Sequence, residues 1–500
     1  MLTRVLERKG QYVKGNGCRA LVSAVMTLAA SSFASTVHAQ SSGDWGKCMS
    51  VQKIPEEERI ASCTAALDSG SFSSLYASKA YTNRANAYCR KGDLDRAIDD
   101  FGHVIKLYPE NIHAYQGRAA AYLRRRDFNQ AIADYSRAIE LEPDERSGYV
   151  SRGEAYAAMN DLDHGIADFN RAIQIDPKFA PAYSARGNAY RGKGDLGRAI
   201  ADNTQAIEIN HKYKVAYLGR GEAYKAKGDL DQAIADYSKA IELDPDEKYG
   251  YIRRGEAYAV MVDLDREIAD FNRAIQIDPK FAPAYWARGY GYRAKGDLER
   301  AIADETQAIE IDPKSGVAYL ERGRTYKVKG DIDRAIADYD QAIQLDPKDA
   351  RAYRDRSSAY FIAGSLPKSL DDLNQSSALN PKDAYTALWL DVVVKRSNLP
   401  SHLAEATQQL DMTKWPAPII RLFLGETAPE QVLAAANDAD ASKKKGQICE
   451  ANFYGGELAL QRGTREEAVR LFRLAAADCP ETFLERPAAN AELKAIGEAP

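Results

Sequence analysis

Histidines and aspartate-rich turns are the first residues to consider as metal ligands in this 500-residue chain. After residue 39 the histidines stand far apart, at positions 103, 113, 164, 211 and 402, and no pair has the spacing of zinc ligands. Turns such as Asp161-Leu162-Asp163 lack the pattern of a calcium-binding loop and are typical of helix N-caps. The sequence therefore predicts no metal site.

Motifs for covalent or nucleotide chemistry are missing as well. The chain has neither a Walker loop nor a Gly-x-Ser-x-Gly elbow. Its Gly192-Lys193-Gly194 falls in a predicted hairpin turn with no strand before it, so it does not fit a dinucleotide-binding loop. Carboxylates are abundant but evenly spread rather than gathered into a pair. We therefore expect a protein that is not an enzyme and uses no cofactor.

The charge of the chain argues against nucleic acid as a partner. The net charge is −4, so the chain is mildly acidic. Binding to a phosphate backbone needs clustered lysine and arginine instead.

Residues 1–39 have the pattern of a cleaved signal peptide. A basic segment runs to Arg19, an apolar stretch spans residues 20–34, and Val37-His38-Ala39 puts small residues where a signal peptidase reads. The alternative is a transmembrane anchor, but the stretch is short and interrupted by serines. No cysteine follows it, so a lipoprotein signal is excluded, and no later segment could span a membrane. We expect a soluble mature protein in the periplasm or, alternatively, outside the cell.

A 34-residue repeat occupies the middle of the chain. Each copy contains a version of Arg-Gly-x-Ala-Tyr, whose small second residue recurs without insertion at positions 85, 119, 153, 187, 221, 255, 289, 323 and 357. In every copy one tyrosine stands three residues after this position and another stands four residues before it. A proline closes eight copies, and His211 replaces it in the fourth.

The pattern predicts two amphipathic helices per copy, joined by a tight turn such as Lys227-Gly228-Asp229. On the first helix the tyrosines and the small residue form one stripe, and the small residue lets its partner helix approach closely. On the second helix the answering stripe consists of Ala233, Tyr237, Ala240 and Ile241. The proline ends the second helix. A single hairpin cannot bury its own apolar face, so neighbouring hairpins are expected to stack.

These nine in-register copies, residues 78–383, closely resemble the tetratricopeptide repeat (TPR) family. The resemblance implies an all-α fold, an α-solenoid wound as a right-handed superhelix, with a groove lined by the first helices. It also implies that the groove binds proteins or peptides. Around the repeats we expect a signal peptide (1–39), an N-terminal helical cap (40–77) and a C-terminal helical region (384–500).

Two charged columns depart from the family pattern, which usually has leucine where this chain has arginine. The residue before each small marker is always arginine, and one fixed position of each second helix is always aspartate. The arginines are Arg84, Arg118, Arg152, Arg186, Arg220, Arg254, Arg288, Arg322 and Arg356. The aspartates are Asp100, Asp134, Asp168, Asp202, Asp236, Asp270, Asp304, Asp338 and Asp372. Because a half-buried charge is costly unless paired, we expect each arginine to pair with an aspartate, within a hairpin or between neighbours. A ladder of ligand-binding arginines is the alternative.

A longer period indicates duplication of a block of repeats. The sixteen residues 168–183 recur unchanged at 270–285. The second, third and fourth copies therefore correspond to the fifth, sixth and seventh. Such a duplication argues against a catalytic centre inside the array, which would need unique residues.

Two cysteine pairs are placed to form disulfides in an oxidising compartment. Cys48 and Cys63 close a small loop in the N-terminal cap. Cys449 and Cys479 bracket a degenerate tenth hairpin, residues 449–482; we expect Cys449 to begin its first helix and Cys479 to end its second. Antiparallel helices would bring those ends together. Cys89 is expected to be a small buried or lining residue.

The C-terminal stretch resembles the NlpI-like periplasmic TPR lipoprotein family. The residues that carry the resemblance are Trp389-Leu390, Trp415-Pro416, Phe423-Leu424-Gly425, Asn452-Phe453-Tyr454-Gly455, Leu471-Phe472, Phe483 and Glu485. It implies a cell-envelope adaptor that scaffolds a protease or peptidoglycan (murein) hydrolases. This chain departs from the family in having no lipid-attachment cysteine and many more repeats, so outer-membrane anchoring is not implied.

The groove is the remaining candidate binding site. In the TPR family it is lined by the first-helix residues one, two and five positions after the leading tyrosine. The candidates here are Asn188, Leu218, Glu222, Ile252, Arg253, Glu256, Trp286, Tyr290, Leu320 and Arg324. The lysine–asparagine clamp for C-terminal carboxylates is missing. Trp286 either anchors a partner segment or packs against the next hairpin.

The sequence thus predicts a secreted scaffold that binds partner proteins or peptides, such as envelope proteases or murein hydrolases. The alternative is a structural component of an export, pilus or polysaccharide secretion system.

Overall fold

The computed structural model describes residues 44–52, 54–70, 73–480 and 483–499. The predicted signal peptide lies outside the described residues. Within them the secondary structure is helical, with no strand. The chain divides into two compact units, one ending at Pro245 and the other beginning at Asp246.

The N-terminal unit contains a helical cap and hairpins 1 to 5. The cap helices are Asp44–Met49 and Glu56–Asp68. The hairpins pair Ser74–Lys91 with Leu94–Leu107, Ile112–Arg125 with Phe128–Leu141, Arg146–Ala158 with Leu162–Ile175, Ala180–Gly192 with Leu196–Ile209, and Lys214–Lys227 with Leu230–Leu243. Each hairpin packs against the next one within the unit, so the expected stacking is confirmed here.

The C-terminal unit contains hairpins 6 to 9 and the C-terminal region. The hairpins pair Lys248–Val260 with Leu264–Ile277, Ala282–Ala294 with Leu298–Ile311, Gly316–Lys329 with Ile332–Leu345, and Ala350–Ile362 with Leu366–Leu379. The helices that follow are Ala384–Arg396, Leu403–Ala406, Thr407–Gln409 (3-10), Ala417–Phe423, Pro429–Ala435, Ala441–Gln461, Arg465–Asp478 and Glu485–Ala495. Both units thus have the all-α, stacked-hairpin architecture of a solenoid.

Close contact between the two helices of a hairpin depends on the small marker residue. A Cβ atom built at Gly221 would stand only 2.6 Å from the Tyr237 ring of the second helix, so a side chain there would clash. Tyr237 is fully buried, as are its stripe neighbours Ala233 and Ala240. The two predicted stripes therefore meet as expected. The turn between them uses Gly228 in the left-handed conformation, with φ of 94°.

The predicted pairing of arginines with aspartates is confirmed in all nine hairpins. Each arginine donates through Nε and Nη2 to both carboxylate oxygens of the aspartate in its own hairpin, at 2.6–2.8 Å. In six hairpins the remaining Nη1 also reaches back to the previous hairpin of the same unit, as in Arg220 to Thr204 at 3.1 Å and Arg322 to Thr306 at 3.1 Å. These bidentate pairs therefore fasten helices within hairpins and link one hairpin to the next.

Both predicted disulfides are present, one at each end of the described chain. Cys48 is bonded to Cys63, and Cys449 to Cys479, while Cys89 is a buried free thiol. The expected start of the tenth hairpin was wrong. Its first helix begins at Ala441, so Cys449 lies two turns inside it, whereas Cys479 does follow the end of the second helix. The bridge still forms because position 449 is the one that faces the end of the antiparallel partner.

Candidate partner-binding face

We define the inner face as the first-helix residues one, two and five positions after the leading tyrosine of each hairpin. Within the N-terminal unit the first helix of hairpin 4 contacts the first helices of hairpins 3 and 5. Within the C-terminal unit the first helix of hairpin 8 likewise contacts those of hairpins 7 and 9. The inner-face residues of consecutive hairpins therefore adjoin one another in each unit.

The three predicted groove residues of the N-terminal unit differ in accessibility. Asn188 and Leu218 are half-buried. Glu222 is buried, and its carboxylate pairs with Lys225 at 3.1 Å and accepts a hydrogen bond from the Tyr237 hydroxyl at 2.8 Å. Of these three, Asn188 and Leu218 are the ones that a partner could touch.

The predicted groove residues of the C-terminal unit are mostly covered. Ile252, Glu256, Trp286 and Leu320 are buried. The other three, Arg253, Tyr290 and Arg324, are half-buried. With only 4% of its surface exposed, Trp286 fits the alternative that it packs within the array rather than anchoring a partner segment.

Buried charged and acidic side chains lie beneath the inner face of hairpins 7 and 8. The guanidinium of Arg293 is 3.2 Å from Glu305 and 2.6 Å from Glu321. Thr325 adds a hydroxyl hydrogen bond to Glu305 at 2.8 Å. Glu305 Oε2 has no hydrogen-bond partner among the described residues. Desolvation raises the pKa of Glu305 to about 8, although Arg293 and Thr325 oppose the shift.

The charge network continues into hairpin 9. Arg324 donates to Asp355 through Nε at 2.7 Å and to Glu321 through Nη1 at 2.7 Å. Desolvation opposes ionisation of Asp355, but Arg324, Lys327 and Arg354 together outweigh it and lower the pKa of Asp355 to about 2. Burial lowers the pKa of Lys327 to about 8, and its ammonium donates to Ser358 at 2.8 Å. These side chains are committed to one another and leave few polar atoms free for a ligand.

Polar side chains also replace expected core residues. The second-helix position that packs on the small marker is aromatic in six hairpins and leucine in hairpin 9, but it is Asn203 in hairpin 4 and Glu305 in hairpin 7. Asn203 is fully buried and bonded to Ser184 at 3.0 Å and to the Ala199 carbonyl at 3.0 Å. The sequence analysis did not single out these two residues. Their polar side chains in an otherwise apolar column would have been enough to identify them.

Glu154, another residue that sequence reasoning passed over, lies on the inner face of hairpin 3 and is exposed. The inner face of the nine hairpins, all of which the structure describes, carries five acidic side chains. Four are paired within the chain: Glu222, Glu256, Glu321 and Asp355. Glu154 has no hydrogen bond or ion pair among the described residues.

The C-terminal region holds its own buried charges. Arg396 donates to Glu457 at 2.8 Å and to Glu492 at 2.8 Å, which ties three helices together. Glu450 accepts hydrogen bonds from the Tyr385 hydroxyl at 3.1 Å and from Trp415 Nε1 at 2.5 Å. Desolvation raises the pKa of Glu450 to about 8. These contacts fix the packing of the region around its apolar core.

Neither membrane insertion nor metal binding is indicated by the described part of the chain. None of its helices combines the length and the apolar character needed to cross a bilayer. No group of three histidine, cysteine, aspartate or glutamate side chains in these ranges is arranged to hold a metal ion. Disulfides persist in oxidising compartments, so the two bridges favour a location outside the cytoplasm.

Comparison with protein-family models identifies the repeats. Models described as tetratricopeptide repeat match residues 78–111, 113–145, 180–213, 215–247 and 282–315. A model described as TPR repeat matches residues 153–194 and 323–361. The matches cover hairpins from both units.

Comparison with solved structures finds the following partial similarities. A tetratricopeptide repeat protein from Parabacteroides merdae is 21% identical, with 50% of this chain and 98% of that one aligned and a TM-score of 0.41. The anaphase-promoting complex assembly Cut9–Hcn1 is 14% identical, with 68% and 83% aligned and a TM-score of 0.44. YrrB, described as a TPR protein with an unusual peptide-binding site, is 23% identical, with 37% and 95% aligned and a TM-score of 0.30.

Proposed function

Because the chain belongs to the tetratricopeptide repeat family, we propose that it is a secreted, non-enzymatic scaffold that binds partner proteins or peptides on its inner face. The observation that carries this proposal is the contrast between constant and variable positions. The arginine, aspartate and small-residue columns repeat in every hairpin, whereas the inner-face residues change from copy to copy. Constant columns are explained by packing, and variable accessible positions on adjoining helices suit recognition of a specific partner.

The compartment we propose is the periplasm. The signal-like residues 1–39 and the two disulfides support export from the cytoplasm. The resemblance of the C-terminal region to NlpI-like proteins favours an adaptor for an envelope protease or a murein hydrolase. Assembly of an export, pilus or polysaccharide secretion system is the second candidate.

The experiment is affinity capture from periplasmic extract with residues 40–500 carrying a C-terminal tag. The test variant is Asn188→Arg, which blocks the inner face at a position where hairpin 8 already accommodates Arg324. The matched control is Glu208→Arg, an exposed change on the second helix of the same hairpin. Quantitative mass spectrometry should find partners that the wild type and Glu208→Arg retain and that Asn188→Arg loses.

The identity of such partners decides between the candidates. A protease or hydrolase lost with Asn188→Arg supports the adaptor, and an outer-membrane secretion complex lost with it supports the alternative. If no captured protein depends on residue 188 or on any other accessible inner-face residue, the scaffold proposal is wrong.

A further inference from the structure

One inner-face acid is exposed and unpaired in the first copy of the duplicated block but buried and paired in the second. Glu154 in hairpin 3 corresponds to Glu256 in hairpin 6, 102 residues later. Glu256 is 3% exposed, and Arg253, three residues before it, holds its carboxylate at 3.1 Å. In hairpin 3 the position of that arginine is taken by Ser151, and Glu154 is exposed. The internal cation that neutralises the later acid is therefore missing from the earlier copy.

The side chains next to these acids differ in size as well. Hairpin 7, which follows Glu256, carries Trp286 and Tyr290 on its inner face. Hairpin 4, which follows Glu154, carries Ser184 and Asn188 at the same positions. The inner face of the hairpin that follows Glu154 therefore carries smaller side chains than that of the hairpin that follows Glu256.

An aromatic side chain is close to the exposed acid. Desolvation, with a smaller contribution from the Glu154 charge, raises the pKa of Tyr213, the residue before the first helix of hairpin 5, to about 12. In the second copy this position is Ser315. An acid without an internal partner is suited to a cation, because its carboxylate accepts charge-assisted hydrogen bonds.

We propose that Glu154, Tyr213 and Asn188 form a site on the inner face of hairpins 3 to 5 that binds an arginine or lysine side chain of the partner protein. The proposal rests on the function proposed above and adds the chemical class of the ligand. The incoming cation takes the place that Arg253 occupies beside Glu256 in the second copy. A partner with an accessible basic segment is selected, and acidic segments are rejected.

The electrostatics of Glu154 agree with this assignment. Although Glu154 is exposed as a residue, desolvation by the surrounding protein raises the pKa of its carboxyl group to about 7. Near neutral pH a nearby cation shifts such a group toward its ionised form, and the resulting attraction favours binding of the cation. A bound basic side chain is accordingly expected to lower this pKa.

The test uses residues 40–500 with both disulfides formed and a phage-displayed library of random dodecapeptides as the probe. Selected peptides are resynthesised with a fluorescent label, and Kd is measured by anisotropy. The expected peptides share an arginine or lysine, and replacing that residue by the uncharged citrulline or by glutamine should weaken binding about tenfold or more.

Three variants locate the site. Glu154→Gln removes the charge while keeping the shape, and Ser151→Arg supplies the internal arginine that hairpin 6 has. Both should weaken the selected peptide about tenfold or more. Glu208→Gln, which makes the same change in charge on the second helix of hairpin 4, should leave Kd unchanged. Circular dichroism melting curves confirm that each variant is folded.

The possible failures can be told apart. Peptides that bind without a basic residue, or whose Kd is the same for Glu154→Gln and the wild type, would overturn this inference and leave the scaffold function standing. A protein that selects no peptide and captures no partner would overturn both.

Discussion

Hairpins 4 and 7 occupy corresponding places in the duplicated block. Comparing them separates the residues that hold every hairpin together from the residues that differ between the copies. Their supporting pairs are nearly identical: Arg186 meets Asp202 at 2.7 Å, and Arg288 meets Asp304 at 2.6 Å. The differences between them fall on the inner face and directly beneath it. There, small and amide side chains in hairpin 4 correspond to aromatic and charged side chains in hairpin 7.

In the second copy, most inner-face side chains are buried or paired with other side chains of the chain. Arg253 covers Glu256, Trp286 is buried, and Arg293 joins Glu305 to the next hairpin. The first copy has kept small residues and an unpaired acid. The difference teaches that a duplicated array can retain its packing columns while the inner-face side chains of its copies diverge in burial and pairing.

One change in the second copy shows how a buried carboxyl group is accommodated. Glu267 stands where most hairpins have a buried alanine, and the following hairpin has Gly291 where most have another alanine. A Cβ at Gly291 would be 3.3 Å from the Glu267 carboxylate, so the glycine provides room for it. Glu267 is fully buried, and neither of its carboxylate oxygens has a partner among the described residues.

The largest predicted effect is the loss of Arg293. Replacing it with alanine leaves Glu305 and Glu321 without their shared cation, and breaking a buried pair in this way costs about 3–5 kcal/mol of unfolding free energy. The matched change Arg191→Ala in hairpin 4, where Asn203 replaces the glutamate, should cost less than about 1.5 kcal/mol. Urea denaturation of both variants measures the difference. Equal losses would mean that the two copies are held together in the same way.

A second prediction concerns the buried acid. Desolvation raises the pKa of Glu267 to about 8, above its usual value of 4.5. Between these two pH values the unfolded chain releases a proton that the folded chain keeps, so wild-type stability falls as pH rises, by about 1.4 kcal/mol per pH unit. Glu267→Ala combined with Gly291→Ala restores the usual alanine pair. It should stabilise the protein at pH 7 by about 1–3 kcal/mol.

Melting temperatures at pH 7 and pH 5 test this. The advantage of the double variant should shrink at the lower pH, and Glu310→Ala, an exposed control on the second helix of hairpin 7, should give no pH-dependent gain. An advantage that is equal at both pH values would assign the gain to packing alone.

The third prediction concerns the arginine–aspartate pair that hairpins 4 and 7 share. Double-mutant cycles on Arg186 with Asp202 and on Arg288 with Asp304 should each give a coupling energy of about 1–2 kcal/mol, because both pairs are bidentate and partly shielded from water. The two values should agree within about 0.5 kcal/mol. Additive single effects would rule out the pairing as a source of stability, and unequal couplings would show that the supporting columns have diverged too.

The hairpins were predictable because their signal is strictly periodic. The spacing of tyrosine, small residue and tyrosine on the first helix was sufficient to place the hairpins, and the matching arginine and aspartate columns were sufficient to predict their pairing. The Cys449–Cys479 bridge was predicted from the register of the tenth hairpin. The true start of its first helix at Ala441 was missed because residues 441–448 contain no repeat marker.

The accessible surface was much less predictable. The family positions define the inner face, but which of its residues are covered depends on neighbours in adjacent hairpins. Trp286 and Leu320 look like anchors in the sequence and are buried in the structure. Glu154 has no internal partner because position 151, three residues earlier, is serine rather than arginine. The identity of residue 154 alone therefore does not predict its accessibility.

The central claim is that a partner docks on the inner face of the first copy and not on that of the second. The most direct test exchanges their inner-face residues and measures Kd for one selected peptide. Ser151→Arg with Asn188→Tyr gives hairpins 3 and 4 the residues of the second copy. Arg253→Ser with Tyr290→Asn makes the reverse change in hairpins 6 and 7. We predict that the first double variant weakens binding about tenfold or more and that the second changes it less than about twofold. Weakened binding in the second variant, with none in the first, would contradict the account.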